Sequence, residues 1–170
     1  FLASILPVVL IDLTNADRSK ADAAPLAPSP LLQEAAQQKA EDMAEKGYFA
    51  HDNPEGLTPW SFLRKAVYQF SYAGENLAVN FLDSNDVESA WMSSGSHRDN
   101  ILNKDFTEIG IAAARGIYEG KEAVFVVQFL ARPAYNETAP VKKQQTQSQK
   151  VIYSSSFGKI IGSPRLAANY

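Results

Sequence analysis

The stretch from Ala123 to Ala131, Ala-Val-Phe-Val-Val-Gln-Phe-Leu-Ala, constrains the fold more than any other part of the chain. It is rich in β-branched and aromatic residues, which favour a strand. Its apolar side chains occupy both odd and even positions, so both faces of the strand are apolar. An antiparallel strand with one face in water would alternate polar and apolar residues. We therefore expect a sheet that is covered by helices on both sides.

A second strand is predicted at Glu108-Ile-Gly-Ile-Ala-Ala-Ala. Glu119-Gly120 marks a turn between the two strands, which predicts an antiparallel hairpin. Earlier in the chain, Ala73 to Val79 is typical of a turn that leads into an extended segment. The sheet is therefore expected to be mainly antiparallel.

Helix starts precede these strands. Pro7, Ser29-Pro30, Thr58-Pro59 and the acidic run Asp83 to Asp86 each predict the first turn of a helix. Gly47 predicts a left-handed cap at the end of the second helix. Helices that precede a sheet buried on both faces predict an α+β protein, a three-layer α-β-α sandwich. On these helices, Arg18 near the end of the first and Glu88 on the fourth are expected to face solvent.

Composition limits the function classes. The 170 residues carry a net charge of −3 and no cysteine. The length fits one ordinary domain. Without cysteine, disulfides, thiolate metal sites and a cysteine nucleophile are excluded. The small negative charge argues against a nucleic-acid partner, because binding to phosphates needs a basic patch.

The two ends of the chain differ in character from its middle. Phe1 to Ile11 is apolar, but it is too short to span a bilayer and lacks the basic start of a complete signal peptide. We expect one domain over residues 1–133 and a polar tail or linker over 134–170. Lys142 to Lys150 is polar and of low complexity. Because Val151 to Tyr153 and Phe157 to Gly162 are apolar again, the tail either docks on the domain or leads to a membrane segment outside this chain.

The clearest candidate for a site is Ala90 to Leu102, Ala-Trp-Met-Ser-Ser-Gly-Ser-His-Arg-Asp-Asn-Ile-Leu. Serine and glycine are poor in helix interiors, so we expect one helix to end near Ser94 and a short one to start at His97. His97 would then lie in a first helical turn, just after a buried aromatic residue. A capped turn with an exposed histidine that has no function explains the same sequence and remains an alternative.

The chain has one other histidine, His51, and an acidic residue, Glu75, at the start of an apolar segment. Two imidazoles and one carboxylate suffice for an open zinc-type site, or equally for a general base with its orienting partners. The residues lack the spacing of a His-Glu-x-x-His helix, so only the fold can bring them together.

Two other motifs are excluded. His97-Arg98-Asp99 copies part of a kinase catalytic loop, but Lys104 stands where that loop needs asparagine, and the glycine-rich loop is missing. Ser94 and its neighbouring serines lie near His97 without a Gly-x-Ser-x-Gly turn, which disfavours a serine hydrolase.

Four motifs in order resemble the CAP superfamily, which comprises the cysteine-rich secretory, antigen 5 and pathogenesis-related-1 proteins. They are Phe49-Ala-His51, Gly74-Glu-Asn-Leu-Ala78, Trp91-Met-Ser-Ser-Gly-Ser-His-Arg-x-Asn-Ile-Leu102 and Glu108-Ile-Gly-Ile111. The resemblance runs from about Ile5 to Pro133 and is greatest to the cysteine-free bacterial SCP-like branch. It implies an α-β-α sandwich.

The resemblance also implies a site. In the family, two histidines and two glutamates face a cleft that can hold a divalent metal. His51 and His97 match the histidine positions, Glu75 matches the first glutamate, and Ser94 stands where the second often lies. The implied ligand cleft is His51, Glu75, Ser94 and His97, with a divalent metal such as zinc held by the two histidines and Glu75. Structural support is implied for Asn76, Trp91, Arg98 and Asn100.

The resemblance implies a secreted or surface-displayed bacterial protein that is more a binding protein than a conventional enzyme. Its cleft is expected to take a small-molecule, lipid or peptide ligand, or a divalent ion, and any membrane contact would come from a segment outside this chain. One alternative is a hydrolase with Glu75 or a histidine as general base. Another is an extracellular protein-interaction module, with the tail as tether or partner peptide. The oligomeric state stays open.

Overall fold

A computed structural model describes residues 5–134, 160–162 and 166–167 of the chain. The helices in these residues are α1 (Pro7–Lys20), α2 (Pro30–Lys46), α3 (Pro59–Lys65), α4 (Ser84–Ser93) and α5 (Gly95–Ile101). The strands are β1 (Ala27–Pro28), β2 (Phe70–Val79), β3 (Glu108–Tyr118), β4 (Lys121–Pro133), β5 (Ile160–Gly162) and β6 (Leu166–Ala167).

Within the described residues the strands form one sheet in the order β1-β3-β4-β2-β5, and β6 also pairs with β2. β3 and β4 form the predicted antiparallel hairpin, with Glu108 opposite Ala131 and Tyr118 opposite Lys121. The short β1 is parallel to β3, while the other pairs are antiparallel. The mainly antiparallel sheet is thus confirmed, with one parallel pair that makes it mixed.

Two apolar clusters lie on opposite faces of this sheet. Val127 of β4 packs with residues of α2 and α3, whereas its neighbour Val126 packs with residues of α1, α4 and α5. Adjacent side chains of a strand point to opposite faces, so each cluster fills one face. The three-layer α-β-α arrangement predicted from the doubly apolar β4 is confirmed.

Glycines on β3 let α2 approach the sheet closely. A Cβ atom at Gly110 would lie 2.2 Å from the main-chain carbon of Leu32, and one at Gly116 would lie 2.5 Å from the main-chain oxygen of Ala44. No side chain fits at such distances. The small residues in this strand therefore follow from the closeness of the helix.

The local signals for helix and turn boundaries are mostly confirmed. α1, α2 and α3 begin at the predicted prolines, and Gly47 ends α2 with a φ of +68°. Asp83 caps α4 by accepting a hydrogen bond from the main-chain nitrogen of Asn85 at 2.7 Å. The short helix begins two residues earlier than predicted, at Gly95, because Ser94 alone is extended and one such residue is enough to separate two helices.

Arg18 and Glu88 are buried, so their predicted exposure is wrong. The guanidinium of Arg18 donates to the main-chain oxygens of Ile101 at 2.7 Å and Asn103 at 2.8 Å, which lie at and just beyond the end of α5. Glu88 accepts a hydrogen bond from Thr14 Oγ1 at 3.0 Å. Both residues lie where α1 packs against α4 and α5, and the periodicity of one helix cannot reveal which of its polar positions a neighbour covers.

The predicted boundary at residue 133 stays a prediction. Phe1–Ser4, Lys142–Lys150 and Val151–Tyr153 lie outside the described residues, as do residues 157–159 of the second apolar stretch of the tail. The described remainder of that stretch, Ile160–Gly162, pairs with Asn76–Ala78 of β2. No helix in the described part of the chain is long and apolar enough to cross a membrane.

Candidate functional site

His51 and Glu75 meet across the sheet face that α2 covers. Nδ1 of His51 lies 2.6 Å from Oε1 of Glu75, although the two residues come from the loop after α2 and the middle of β2. The side chain of Glu75 is fully buried, and that of His51 is 18% exposed. Since a carboxylate only accepts hydrogen bonds, Nδ1 of His51 carries the proton of this contact, and in a neutral imidazole Nε2 is then the acceptor.

Nε2 of His51 is buried and has no hydrogen-bond partner among the described residues. A buried acceptor without a donor costs about 1–3 kcal/mol. The carboxylate and the fold together hold the imidazole so that this lone pair faces the protein interior. A group that donates a hydrogen bond to Nε2, or a metal ion, would remove that cost.

Lys39 holds the loop that carries His51. Its side chain is fully buried, and Nζ donates to the main-chain oxygens of His51 at 2.7 Å and Ala50 at 3.0 Å, and to the hydroxyl of Tyr48 at 3.0 Å. Burial lowers the pKa of Lys39, while the nearby carboxylate of Glu75 acts in the opposite direction. The buried ammonium fixes the main chain at His51.

The role of Lys39 was missed in the sequence, although a signal was present. Leu32, Ala36 and Met43 mark the buried stripe of α2, and Lys39 falls on the same stripe at helical spacing. A charge on an apolar face is rarely left buried without partners. The partners are main-chain oxygens from a loop, which no pattern in the sequence identifies.

His97 lies on the short helix α5 and is almost fully buried. Its Nδ1 is 2.6 Å from Oγ of Ser94, the extended residue that precedes the helix. The hydroxyl and the carboxylate of the predicted cleft therefore contact different histidines: Ser94 contacts His97, and Glu75 contacts His51.

Asn76 and Asn100 join β2 to α5. Nδ2 of Asn100 donates to Oδ1 of Asn76 at 2.9 Å and to the main-chain oxygen of Glu75 at 3.3 Å. Nδ2 of Asn76 donates to the main-chain oxygen of His97 at 3.3 Å. The two asparagines thus link the main chain of His97 to the main chain of Glu75, whose side chain contacts His51.

The hydrogen bonds continue from Asn76 through the domain. Nδ2 of Asn76 donates to Gln128 at 2.8 Å, Gln128 donates to Thr14 at 3.0 Å, and Thr14 donates to Glu88 at 3.0 Å. Each donor points the same way, so the chain of bonds ends on the buried carboxyl group of Glu88. Gln128 was also missed, although it is the one polar residue in the apolar run of β4.

Trp91 and Arg98 contact the segments around the site. The indole nitrogen of Trp91 donates to the main-chain oxygen of Leu77 at 3.1 Å, and the residue is fully buried. Arg98 donates from Nη1 to the main-chain oxygen of Met92 at 3.2 Å. Trp91 thereby ties α4 to β2 immediately beside the asparagines.

No group of three or more His, Asp or Glu side chains in the described residues is arranged to hold a metal ion. Zinc in proteins takes at least three protein ligands, and a serine hydroxyl is a weak substitute for a carboxylate. The side chains as arranged do not fit a resident zinc ion with three protein ligands. Metal binding by His51, His97 and Glu75 stays a prediction.

A surface cavity of about 490 Å³ lies away from the candidate site. It contains none of the site residues and is lined by Ala27, Ser71, Thr107, Glu108, Arg132, Pro133 and Ala134. This cavity therefore does not coincide with the predicted ligand cleft, which stays a prediction.

The sequence model of the CAP family, described as the Cysteine-rich secretory protein family, matches residues 11–129. The chain belongs to this family. The match runs from the middle of α1 to most of β4 and includes every residue of the candidate site. The CAP resemblance read from the four motifs is therefore confirmed.

Several bacterial proteins are similar to this chain. YkwD of Bacillus subtilis is 34% identical over 123 residues, which are 72% of this chain and 46% of YkwD. An extracellular protein of Bacillus anthracis that contains an SCP domain is 32% identical with a TM-score of 0.64, over 74% of this chain and 40% of that one. The chain thus spans less than half the length of these two relatives.

An outer surface protein of Borrelia burgdorferi is 28% identical with a TM-score of 0.61, over 74% of this chain and 91% of that protein. These likenesses confirm the α+β CAP-like fold. Some bacterial proteins with this domain are described as extracellular or as outer surface proteins.

Proposed function

We propose that this CAP domain is exported or displayed on a bacterial surface and binds a small polar ligand at His51. The observation that carries the proposal is the buried Nε2 of His51, which has no hydrogen-bond partner among the described residues while Nδ1 is held by Glu75. Export is supported by the extracellular Bacillus anthracis protein and the Borrelia burgdorferi outer surface protein.

The chemistry of the ligand follows from the chemistry of the imidazole. In the neutral imidazole with Nδ1 protonated, Nε2 is an acceptor, so it favours a ligand that donates a hydrogen bond, such as a hydroxyl or an ammonium group. Glu75 holds the ring and Lys39 holds the main chain of His51, which lowers the conformational entropy that binding would otherwise lose. His97 and Ser94 form a second polar pair that the asparagines join to the first.

A divalent ion is the second candidate, because Nε2 of a histidine held by a carboxylate is the usual zinc-binding atom. Since three protein ligands are not grouped in the described residues, such an ion would need a further ligand from solvent or from a bound molecule. Because Ser94 replaces the second glutamate of the family's ligand set, we expect a divalent ion to bind weakly.

Calorimetric titration of the full chain with zinc chloride tests the metal candidate, with His51→Ala and His97→Ala as controls. A heat of binding that disappears in both variants supports the metal. Equal heats from all three proteins contradict it.

Nitrogen chemical shifts of the histidine rings test the polar ligand, with ethanolamine and glycerol as probes. We expect the Nε2 resonance of His51 to move on titration, and the movement to be smaller in Lys39→Met because the ring is less well fixed. An Nε2 resonance that neither probe moves would count against the proposal.

One observation favours a hydrolase: the carboxylate of Glu75 contacts His51 in the way that a carboxylate orients a catalytic general base. However, Ser94, the hydroxyl residue of the predicted cleft, contacts His97. Ser94 contacts one histidine and Glu75 contacts the other, so this arrangement favours a bound water as the nucleophile. Turnover of a peptide or ester library that is lost in Glu75→Gln would support the hydrolase, and its absence in the folded protein would leave ligand binding.

A further inference from the structure

The outer edge of β2, which faces away from β4, is able to pair with a further strand. β2 runs from Phe70 to Val79 without a proline, and its inner edge pairs with β4 along almost the whole strand. Its one charged residue, Glu75, is buried. A long edge without exposed charge or proline readily pairs with another extended chain. The outer edge is therefore a ready template for a further strand.

Two short segments from the end of the chain lie along this edge. β5 pairs antiparallel with Asn76–Ala78, and β6 pairs antiparallel with Tyr72 and Ala73. β5 also lies against α5, the helix that carries His97. An extended segment thus occupies the groove between the outer edge of β2 and α5.

These pairings are much shorter than the pairing of β2 with β4. β5 has three residues and β6 has two, which is too little for a stable hairpin by itself. Covalent attachment compensates, because a tethered segment has an effective concentration near its site of roughly millimolar. A short strand that depends on its tether is expected to exchange with a free segment of the same kind.

We propose that the groove between the outer edge of β2 and α5 is a docking site for an extended peptide, and that Ile160–Gly162 and Leu166–Ala167 are its tethered occupant. The main chain of the peptide adds an antiparallel strand to β2, as in other cases of strand addition. The tethered segment competes with any free peptide and sets the concentration at which that peptide binds. Because Glu75 and Asn76 lie on β2, a docked peptide runs beside the candidate histidine site.

The test uses the full chain and a labelled synthetic peptide of residues 158–168, followed by fluorescence anisotropy. A double variant, Ile161→Pro with Leu166→Pro, removes main-chain donors from both paired segments and so opens the groove. Gln147→Pro places the same residue in the tail outside the paired segments and is the matched control. A peptide that carries the same two prolines controls for binding without strand pairing.

We expect the double variant to bind the peptide at least about tenfold more tightly than the wild type and Gln147→Pro, because the tethered competitor is removed. The control peptide, with prolines in place of Ile161 and Leu166, should bind to none of the proteins. Equal affinity for all three proteins, or no binding to the double variant, overturns the proposal.

Hydrogen exchange of the wild-type protein provides a measurement that needs no variant. Alternate amides of β2 point to β4 and to the outer edge, so those on the outer edge should exchange faster than those facing β4. Equally slow exchange along both edges shows that the tethered strand does not open and overturns the proposal. A dimeric wild type in sedimentation would place the strand of a second copy on the edge, and it overturns the tethered arrangement.

The docking site does not depend on His51 as a ligand-binding residue. His51→Ala is therefore expected to keep the peptide affinity of the wild type. If neither zinc nor ethanolamine binds but the peptide does, the proposed ligand at His51 is overturned and the docking site is not.

Discussion

Glu88 is the residue whose replacement should change stability most strongly with pH. Its side chain is buried beneath α1, and burial raises its pKa from the ordinary 4.5 to about 8. The hydroxyl of Thr14, which donates to Oε2, partly offsets that rise. Two charges on α1 act on it in opposite directions, since Asp17 raises the pKa and Lys20 lowers it.

The direction of the pH dependence follows from where the proton is held. Below pH 4.5 the carboxyl group is protonated in both the folded and the unfolded chain, so it adds no slope. Between pH 4.5 and about 8 the folded state keeps the proton and the unfolded chain loses it. The free energy of unfolding therefore falls with rising pH by about 1.4 kcal/mol per pH unit, on the order of 5 kcal/mol in all. Above about pH 8 the slope disappears again.

Glu88→Gln removes this titration while keeping the size of the side chain and an oxygen that accepts the bond from Thr14. We expect the variant and the wild type to be equally stable within ~1 kcal/mol at about pH 4.5. At about pH 8 the variant should be more stable by roughly 2–5 kcal/mol, because it buries no carboxylate.

Urea denaturation at a series of pH values between about 4.5 and 8.5 measures this difference. Asp86→Asn, an exposed acid on the same helix, is the matched control and should keep the slope of the wild type. Parallel stability profiles for Glu88→Gln and the wild type would refute the reasoning, since the buried carboxyl group would then not titrate between the folded and unfolded states.

Three further predictions concern packing and buried hydrogen bonds. Lys39→Met should lower the free energy of unfolding by roughly 2–4 kcal/mol in urea titrations, because the loop oxygens lose their donor. Lys46→Met, at an exposed ion pair, is the control and should leave the stability almost unchanged. Trp91→Phe keeps an aromatic ring but loses the indole donor to the strand, and calorimetry should show a loss of about 1–3 kcal/mol; an unchanged midpoint would mean that the bond contributes nothing. Gly110→Ala should destabilise by at least about 1–3 kcal/mol because its Cβ would overlap α2, whereas Gly95→Ala, in a helical position with nothing within 4 Å, should raise the melting temperature through a gain of about 0.5–1 kcal/mol.

Much of the architecture could be predicted from local signals. The doubly apolar β4 required helices on both faces, and prolines, Asp83 and Gly47 marked helix ends that the structure confirms. These signals work because they report main-chain geometry and burial within a few residues of where they occur. The motifs around His51, Glu75 and His97 identified the family by the same local means.

The errors lie where one helix covers another. α1 buries Leu10, Thr14 and Arg18, so two of the three residues on its buried stripe are polar. A prediction from hydropathy alone therefore assigns the wrong face of such a helix to the protein interior. Arg18 is buried because main-chain oxygens at the end of α5 accept its hydrogen bonds, and those oxygens are more than eighty residues away in the sequence.

The sequence by itself determined the layers, the family and the residue types at the site, because apolar periodicity, capping and motif spacing are properties of short segments. Only the tertiary structure decided which groups meet: Glu75 with His51, Ser94 with His97, and Lys39 with the loop oxygens. It also decided that a chain of hydrogen bonds runs from Asn76 to Glu88 and that Ile160–Gly162 pairs with β2. Each of these contacts joins residues from different elements, and the free energy that selects them comes from pairing buried polar groups, which has no signature in any one segment.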